Sequence, residues 1–258
     1  MGSHMAAPQG QVIIVGVTGA SGAILAQTAL RLLAADERVA RVHLVVSDAG
    51  RRLLDHELGV RGALGELPGG IVGASAGKGV TVRSAGGAGK IEVLPNADVG
   101  ASIASGSYPA DAMCVIPCSM GMLSAIATGA STDLVSRAAD VTLKEGRRLV
   151  LCIRDTPFSR IHIENMLRAQ QAGATIMPAI PSFYHHPETI DDLVTQYVCR
   201  VLGQLGLPQS KQFAWTGQNA GMNAAQDGAQ DAAQDEVPDE VQEVGNDMQP
   251  SARKMRAV

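Results

Sequence analysis

The chain is poor in aromatic residues and carries little net charge. Phe, Tyr and Trp make up 3% of its 258 residues, and 21 Lys and Arg against 25 Asp and Glu give a formal net charge of −4. Three of those bases and eight of those acids lie in residues 216–258, which leaves 18 bases and 17 acids in residues 1–215. This nearly neutral body excludes a strongly basic nucleic-acid-binding protein.

Long apolar runs and cysteine motifs are also missing. No apolar run approaches the roughly 20 residues of a membrane-spanning helix, and no signal peptide precedes the first predicted strand, so we expect a cytoplasmic protein without a membrane anchor. The four cysteines lie in apolar stretches without a C-x-x-C pair, which predicts buried free thiols. His185 and His186 have no other His or Cys at zinc-ligand spacing, so we predict no metal site.

Composition divides the chain into a body and two ends. Residues 1–5 read MGSHM, which is typical of a cloning scar and is left out of fold reasoning. Residues 6–215 have the length of one α/β domain, within which residues 59–89 are rich in Gly, Ala and Ser and predict a mobile surface excursion without regular structure. Residues 216–258 repeat Ala, Gln and Asp without an apolar stripe, which predicts a disordered acidic tail.

Strand and helix patterns alternate through the body. The run VIIVGV at residues 12–17 is typical of a strand covered on both faces, and a glycine turn then leads into a helical pattern. Repetition of this unit predicts a doubly wound parallel sheet between two helical layers, with ligands bound beyond the carboxyl ends of its strands. Polar clusters follow four predicted strands, at residues 18–22, 47, 117–122 and 154–156, and we expect the fold to bring them to one edge.

The first polar cluster belongs to the turn GVTGASG at residues 16–22. Its glycines and the helix start that follows suit a phosphate, although a tight turn whose glycines serve packing has the same pattern. The spacing fits neither G-x-x-x-x-G-K-[ST] nor G-x-G-x-x-G. Asp48 lies where an acidic residue holds the ribose of a dinucleotide, so these residues by themselves leave a nicotinamide cofactor open.

Other candidates combine hydroxyl, basic and aromatic side chains. The sequence PCSMGML at residues 117–123 places a hydroxyl and a glycine backbone at a strand end. This pattern is found both in ligand-binding turns and at the ordinary start of a helix. Arg137 and Lys144 share one face of a predicted helix, which suits a bound anion or two solvated surface bases. Phe183 and Tyr184 are adjacent in a loop after a buried strand. Their rings suit contact with a planar ring or a prenyl chain, and they equally suit packing in the hydrophobic core.

Several motifs occur in order along the chain, namely VGVTGASGA, PCSMG, RAADVTLKEGRRLVLCIRDTP, HIENM and PAIPSFYHHPETIDDLV. Together they resemble the flavin prenyltransferase family, the UbiX-type flavoproteins, over residues 12–208. The resemblance implies a Rossmann-like fold, reduced FMN as cofactor and a homo-oligomer, commonly a dodecamer. It also implies transfer of a dimethylallyl group from dimethylallyl phosphate to N5 and then C6 of reduced FMN, which makes prenylated FMN for a partner decarboxylase, such as one in ubiquinone biosynthesis.

The resemblance also assigns roles to individual residues. The implied cofactor-binding residues are Gly19, Ala20, Ser21, Ser47, Ser119, Met120, Gly121, Met122 and Arg154. The implied substrate-binding residues, which hold or line the site of the prenyl phosphate, are Ser105, Gly106, Ser107, Arg137, Lys144, Tyr184 and Arg200. The implied catalytic residues are Asp155, Lys144 and Glu57. A departing phosphate develops negative charge, which basic side chains in a water-poor site stabilise.

Two positions depart from the family pattern. Asp155 stands where the family usually has the longer glutamate, at a place for proton transfer, which requires hydrogen-bond reach. Met122 stands where threonine is common and removes a hydroxyl. A non-catalytic flavin-binding or flavin-delivery protein of the same fold is therefore the alternative. A flavin-dependent cysteine decarboxylase is disfavoured because PCSMG replaces a PASAN-like loop and His43 lies within a strand pattern, and a nicotinamide dehydrogenase is disfavoured by the glycine spacing.

Overall fold

The computed structural model describes residues 10–73 and 89–214. The chain divides into two compact units, Met1–Phe213 and Ala214–Val258, and every element described below belongs to the first. The predicted cloning scar at residues 1–5 and the predicted disordered tail at residues 216–258 lie outside the described residues, as do residues 74–88 of the predicted excursion.

Parallel strands form the centre of the first unit. They are β1 (Gln11–Val17), β2 (Val39–Val46), β3 (Ile91–Leu94), β4 (Ala112–Cys118), β5 (Arg148–Ile153) and β6 (Thr175–Ile176). Every neighbouring pair is parallel, and the order across the sheet is β3-β2-β1-β4-β5-β6. The predicted doubly wound sheet is confirmed, and its strand order reverses between β1 and β4, which is where such folds bind ligands.

Helices cover both faces of this sheet. They are α1 (Ala23–Ala35), α2 (Asp48–Leu58), α3 (Leu67–Gly73), α4 (Met120–Thr128), α5 (Leu134–Lys144), α6 (Arg160–Gln171) and α7 (Ile190–Gln204). Side chains of α1, α3 and α7 pack in one hydrophobic cluster and those of α4, α5 and α6 in another, so the sheet lies between two helical layers. No helix among the described residues is long and apolar enough to cross a membrane.

Short polar side chains set where several helices begin. Asp133 and Ser159 cap α5 and α6, in each case by accepting a hydrogen bond from a backbone N–H three residues later. Before α7, the Thr189 hydroxyl accepts from the N–H of Asp192 at 3.1 Å, and the Asp192 carboxylate accepts from the N–H of Thr189 at 2.8 Å. This is a reciprocal capping box, with Asp in place of the usual Glu or Gln.

The prediction of a segment without regular structure is wrong for the described part of residues 59–89. A 3-10 turn at Leu64–Glu66 and helix α3 occupy it, and Ile71 and Val72 are fully buried. The side chain of Gln27 on α1 donates to the carbonyl of Ile71 at 2.7 Å. The sequence LPGGIVG has too few apolar residues to show a helical period. The strand β3 that follows is also absent from the prediction, because its four residues are too short to show the alternation of a strand.

Candidate functional site

The four predicted polar clusters follow β1, β2, β4 and β5, and parallel strands bring them to one edge of the sheet. Thr18 joins two of these clusters where the strand order reverses. Its hydroxyl donates to the carbonyl of Pro117 at 2.8 Å and accepts from the N–H of Ser119 at 2.9 Å, and the residue is 1% exposed. The sequence places Thr18 in the cluster without indicating a role for it, because a single threonine in a turn carries no sign of a contact with residues about a hundred positions away.

Two of the predicted cofactor-binding serines begin helices at this edge. Ser47 and Ser119 cap α2 and α4 by accepting from backbone N–H groups three residues later, at 3.1 and 3.3 Å. The N–H groups of Met120 and Gly121 have no acceptor within α4 and donate to no atom of the described residues. The Met122 side chain is buried in the core. The start of α4 therefore offers backbone donors and the positive end of a helix, which suit a phosphate.

The turn at residues 19–21 lies close to α2. A Cβ added at Gly19 would overlap the side chain of Ala49, so this close approach requires glycine. Ala20 is buried at 3% exposure, whereas Ser21 is exposed. The turn thus presents its polar side chain outward from a backbone that packing holds in place.

Glu57 of α2 lies at the start of α1. Its carboxylate accepts hydrogen bonds from the N–H groups of Gly22 at 3.0 Å and Ala23 at 2.7 Å. Burial raises the pKa of Glu57, but hydrogen bonds from Ser21 and from these two N–H groups, together with the positive charge of Arg154, outweigh it, so the pKa of Glu57 is lowered overall. The predicted catalytic glutamate is therefore an ionised cap of α1, beside the predicted flavin turn.

Arg154 and Asp155 follow β5 at the same edge. The N–H of Arg154 donates to the carbonyl of Cys118 at 3.2 Å, which fixes the backbone next to the start of α4. The Arg154 Nε is buried without a hydrogen-bond partner among residues 10–73 and 89–214, although buried donors are normally paired, so it is available to a bound acceptor. The Asp155 carboxylate is partly exposed and accepts from the N–H of Thr156 at 2.8 Å.

A second group of predicted residues lies at the amino-terminal edge of the sheet. The loop at residues 105–107 precedes β4, and Lys144 precedes β5. The Lys144 ammonium and the Glu145 carboxylate both lie beside Gly106, since a Cβ added at Gly106 would be 2.7 Å from the Lys144 Nζ and would overlap the Glu145 Oε1. Arg137, earlier on α5, donates from Nε to the carbonyl of Ala104 at 3.2 Å. The structure therefore brings Arg137, Lys144 and the predicted substrate loop together.

This loop carries several uncommitted donors. The hydroxyls of Ser105 and Ser107 are 2.9 Å apart, and the N–H groups of Gly106 and Ser107 donate to no atom of the described residues. The Lys144 ammonium is paired with the Glu145 carboxylate at 2.5 Å, and the hydrogen bond with Lys144 lowers the pKa of Glu145. Backbone N–H groups and hydroxyls in one loop, with an ammonium of α5 beside it, are suited to a phosphate ester.

Arg147, to which the sequence analysis gave no role, holds the same loop. Its Nη1 donates to the carbonyl of Tyr108 at 2.9 Å and its Nη2 to the carbonyl of Gly106 at 2.7 Å. The sequence indicates a role for Arg147 only through its position in the motif DVTLKEGRR, and that motif does not distinguish Arg147 from Arg148.

Tyr184 and Arg200 lie elsewhere in the chain. The Tyr184 ring, 40% exposed, has its centroid 5.5 Å from that of Phe213 and 5.9 Å from that of His185. Arg200 is exposed on α7, which packs on the opposite face of the sheet from α5. A single chain therefore does not bring Arg200 to Lys144.

The predicted cofactor group and the Lys144 group are also separated along the strands. They lie at opposite edges of the sheet, and a strand of six residues is about 20 Å long. Among the residues that the structure describes, no three His, Cys, Asp or Glu side chains cluster as metal ligands. Together, the doubly wound sheet and the phosphate-suited helix starts at its switch point define a Rossmann-like nucleotide-binding protein.

The chain matches the family model described as Flavoprotein over residues 2–202. The flavin prenyltransferase UbiX of Pseudomonas aeruginosa is 43% identical over 214 residues, which cover 80% of this chain and 95% of that protein. The flavin prenyltransferase UbiX of Halalkalibacterium halodurans is 41% identical over 205 residues, covering 79% and 93%. The chain belongs to the flavin prenyltransferase family of flavoproteins, as its motifs predict.

Solved structures agree with this assignment. The crystal structure of AnUbiX (PadA1) in complex with FMN and dimethylallyl pyrophosphate has a TM-score of 0.68 and 36% identity, and covers 81% of this chain and 98% of that one. A dodecameric FMN-dependent UbiX-like decarboxylase from Escherichia coli O157:H7 has a TM-score of 0.68 and 38% identity, covering 80% and 100%. The predicted Rossmann-like fold is thereby confirmed.

Proposed function

We propose that this chain is a cytoplasmic enzyme that transfers a dimethylallyl group from dimethylallyl phosphate to N5 and then C6 of reduced FMN, making prenylated FMN for a partner decarboxylase. Bound reduced FMN supplies the nucleophilic nitrogen and carbon. In the first transfer the bond from carbon to the phosphate oxygen breaks, phosphate leaves with the electron pair, and a carbon–nitrogen bond forms with loss of the N5 proton. The observation that carries the proposal is that the chain holds two separate phosphate-suited groups, as a phosphorylated cofactor and a phosphorylated donor require.

The residues at the carboxyl edge fit FMN. Ser47 and the start of α4 would bind its phosphate through hydroxyl and backbone N–H groups. The buried, unpartnered Nε of Arg154 would donate to an acceptor of the flavin. Among the residues that the structure describes, nothing lies within 4 Å of a Cβ added at Gly121, so there is room for a ligand against that helix start.

The residues at the other edge fit the donor phosphate. Lys144 and the free N–H groups of Gly106 and Ser107 would stabilise the negative charge that develops as phosphate leaves. Arg137 lies beside the same loop and adds positive charge. Asp155 would hold or release a proton near the flavin.

The separation of the two groups favours a site shared between copies of the chain. They are about 20 Å apart in one protomer, too far for a donor carbon bound at one to reach a flavin bound at the other. Helix α6 exposes three large apolar side chains, Ile161 at 67% and Ile163 and Leu167 at 55% each, a surface typical of an interface between subunits. We therefore propose a homo-oligomer in which one copy supplies the flavin group and neighbouring copies supply Lys144, Tyr184 and Arg200.

The test is anaerobic incubation of the purified protein with reduced FMN and dimethylallyl phosphate, followed by mass analysis of the flavin. We expect a flavin heavier by one dimethylallyl unit and an equal amount of inorganic phosphate. Unchanged flavin mass together with tight FMN binding would instead identify a flavin-delivery protein. The Asp155→Glu variant then separates two cases. Activity in this variant would show that the parent lacks only a proton-transfer group, and continued inactivity would indicate a protein that only carries flavin.

A further inference from the structure

The substrate loop at residues 105–107 has a support that lies outside the proposed donor contacts. Arg147 lies three residues after the end of α5, and its own N–H donates to the carbonyl of Thr142 at 2.9 Å, which fixes the arginine to the end of that helix. Its guanidinium donates to the carbonyls of Gly106 and Tyr108 at 2.7 and 2.9 Å. Two parallel donors on a planar group fix the orientation as well as the position of what they bind.

The two hydrogen bonds from the Arg147 guanidinium determine the direction in which one backbone N–H points. The carbonyl of Gly106 and the N–H of Ser107 belong to the same peptide group, and in a trans peptide the two point in opposite directions. Because the carbonyl points at Arg147, the Ser107 N–H points away from it. That N–H is one of the donors without a partner among the described residues.

A second anchor lies at the end of the loop. The Tyr108 hydroxyl is 2.6 Å from Nε2 of His43, which lies within β2 at 1% exposure, and the two rings pack edge to face with centroids 5.3 Å apart. Burial lowers the pKa of His43, although nearby Glu92 opposes this, and the buried ring shares one hydrogen bond with the Tyr108 hydroxyl. The loop is thus tied to the buried sheet at Tyr108 and to α5 by Arg147.

We propose that Arg147 is a positioning residue for the phosphate of the prenyl donor, and that it acts by fixing the Gly106–Ser107 peptide while the Tyr108–His43 pair anchors the loop. This proposal rests on the proposed function of the loop. It assigns no contact with the donor to Arg147, which is held by backbone carbonyls.

The test compares Arg147→Ala with Arg148→Ala. Arg148 is the neighbouring residue, and its Nη1 likewise donates to a backbone carbonyl, that of Leu205 at 3.3 Å, at the end of α7 rather than in the loop. Charged hydrogen bonds of this kind predict about a tenfold rise in KM for dimethylallyl phosphate in Arg147→Ala, with kcat and the Kd for FMN little changed. Arg147→Lys, which keeps the charge and can bond one carbonyl at a time, should fall between Arg147→Ala and the parent, and Arg148→Ala should match the parent.

The outcomes separate this proposal from the proposed function. Equal donor KM values for the two alanine variants, or a loss of FMN binding in Arg147→Ala, would overturn the positioning role. If the parent forms no prenylated flavin, the proposed function fails, and calorimetric titration of the FMN-loaded proteins with dimethylallyl phosphate decides about Arg147. Weaker binding of dimethylallyl phosphate in Arg147→Ala than in the parent and Arg148→Ala supports the positioning role. Equal binding in all three proteins, or no binding in any of them, refutes it.

Discussion

The hydroxyl of Thr18 accepts a hydrogen bond from the backbone N–H of Ser119 at 2.9 Å while donating to the carbonyl of Pro117 at 2.8 Å. One buried side chain thus joins the end of β1 to the end of β4 at the point where the strand order reverses. The start of α4, which offers its backbone donors to a phosphate, is positioned by this link.

Replacing Thr18 by valine, which keeps the shape and removes the hydroxyl, should weaken both folding and flavin binding. Loss of two buried hydrogen bonds predicts a fall of about 1–3 kcal/mol in the free energy of unfolding and about a tenfold rise in the Kd for FMN. Chemical denaturation and flavin fluorescence titration measure the two effects. Thr142→Val is the control, since the buried Thr142 hydroxyl donates to Ala138 within its own helix, and it should leave the Kd for FMN unchanged. An equal effect of both variants on FMN would contradict the prediction.

Glu57 should make the stability of the protein depend on acidic pH. Its folded-state pKa lies below the ordinary value of 4.5, so its ionised form stabilises the fold above that pH, and the contribution is lost as the pH falls through the folded-state value. Glu57→Gln should therefore be less stable than the parent at neutral pH, and the difference should shrink below about pH 4.5. Thermal unfolding across this range tests it, with Glu37→Gln, at an exposed turn residue, as the control. A difference that stays constant with pH would show that the charge of Glu57 is not involved.

Asp155 should affect turnover more than binding. Asp155→Asn removes the carboxylate that we propose transfers a proton, which predicts a fall in kcat of about a hundredfold or more with the Kd for FMN unchanged. The measurement is the initial rate of prenylated flavin formation. Asp98→Asn is the matched control, because the carboxylate of Asp98 also accepts from a nearby backbone N–H, that of Gly100 at 3.1 Å. Full activity in Asp155→Asn would exclude a role of this carboxylate in proton transfer.

A site shared between copies predicts complementation. Arg154→Ala and Lys144→Ala should each be inactive alone, and unfolding and refolding them together should restore part of the activity, because some sites then receive the intact residue from each copy. Rates of prenylated flavin formation before and after mixing measure this. Lys144→Ala mixed with Arg137→Ala should stay inactive, since both residues lie beside the same loop of one copy. Restoration in that control mixture, or none in the first, would contradict a shared site.

The sequence was sufficient for the sheet and for one edge of the site, because the buried β-branched strands, the glycine turns and the polar residues after them are local patterns. It predicted which residues would gather at the carboxyl edge. It did not reveal α3, whose apolar residues are too few to show a period, or the roles of Thr18 and Arg147, whose partners are distant in sequence. It grouped Arg200 with Lys144, whereas the fold places their helices on opposite faces of the sheet. The roles of the predicted site residues remain predictions for the experiments above.

The carboxylate at the start of α1 has a consequence for the direction in which a phosphorylated ligand can lie. Helices α1, α2 and α4 all begin at the carboxyl edge, but the N–H groups of Gly22 and Ala23 already bind Glu57. A phosphate dianion there would meet a like charge, whereas Ser47 and Ser119 offer hydroxyls at helix starts to which no carboxylate of the described residues is bound. The Glu57 carboxylate thus disfavours a phosphate near the turn after β1 and leaves the phosphate to Ser47 and Ser119. The ligand's uncharged part, rather than its phosphate, is therefore directed to the turn after β1.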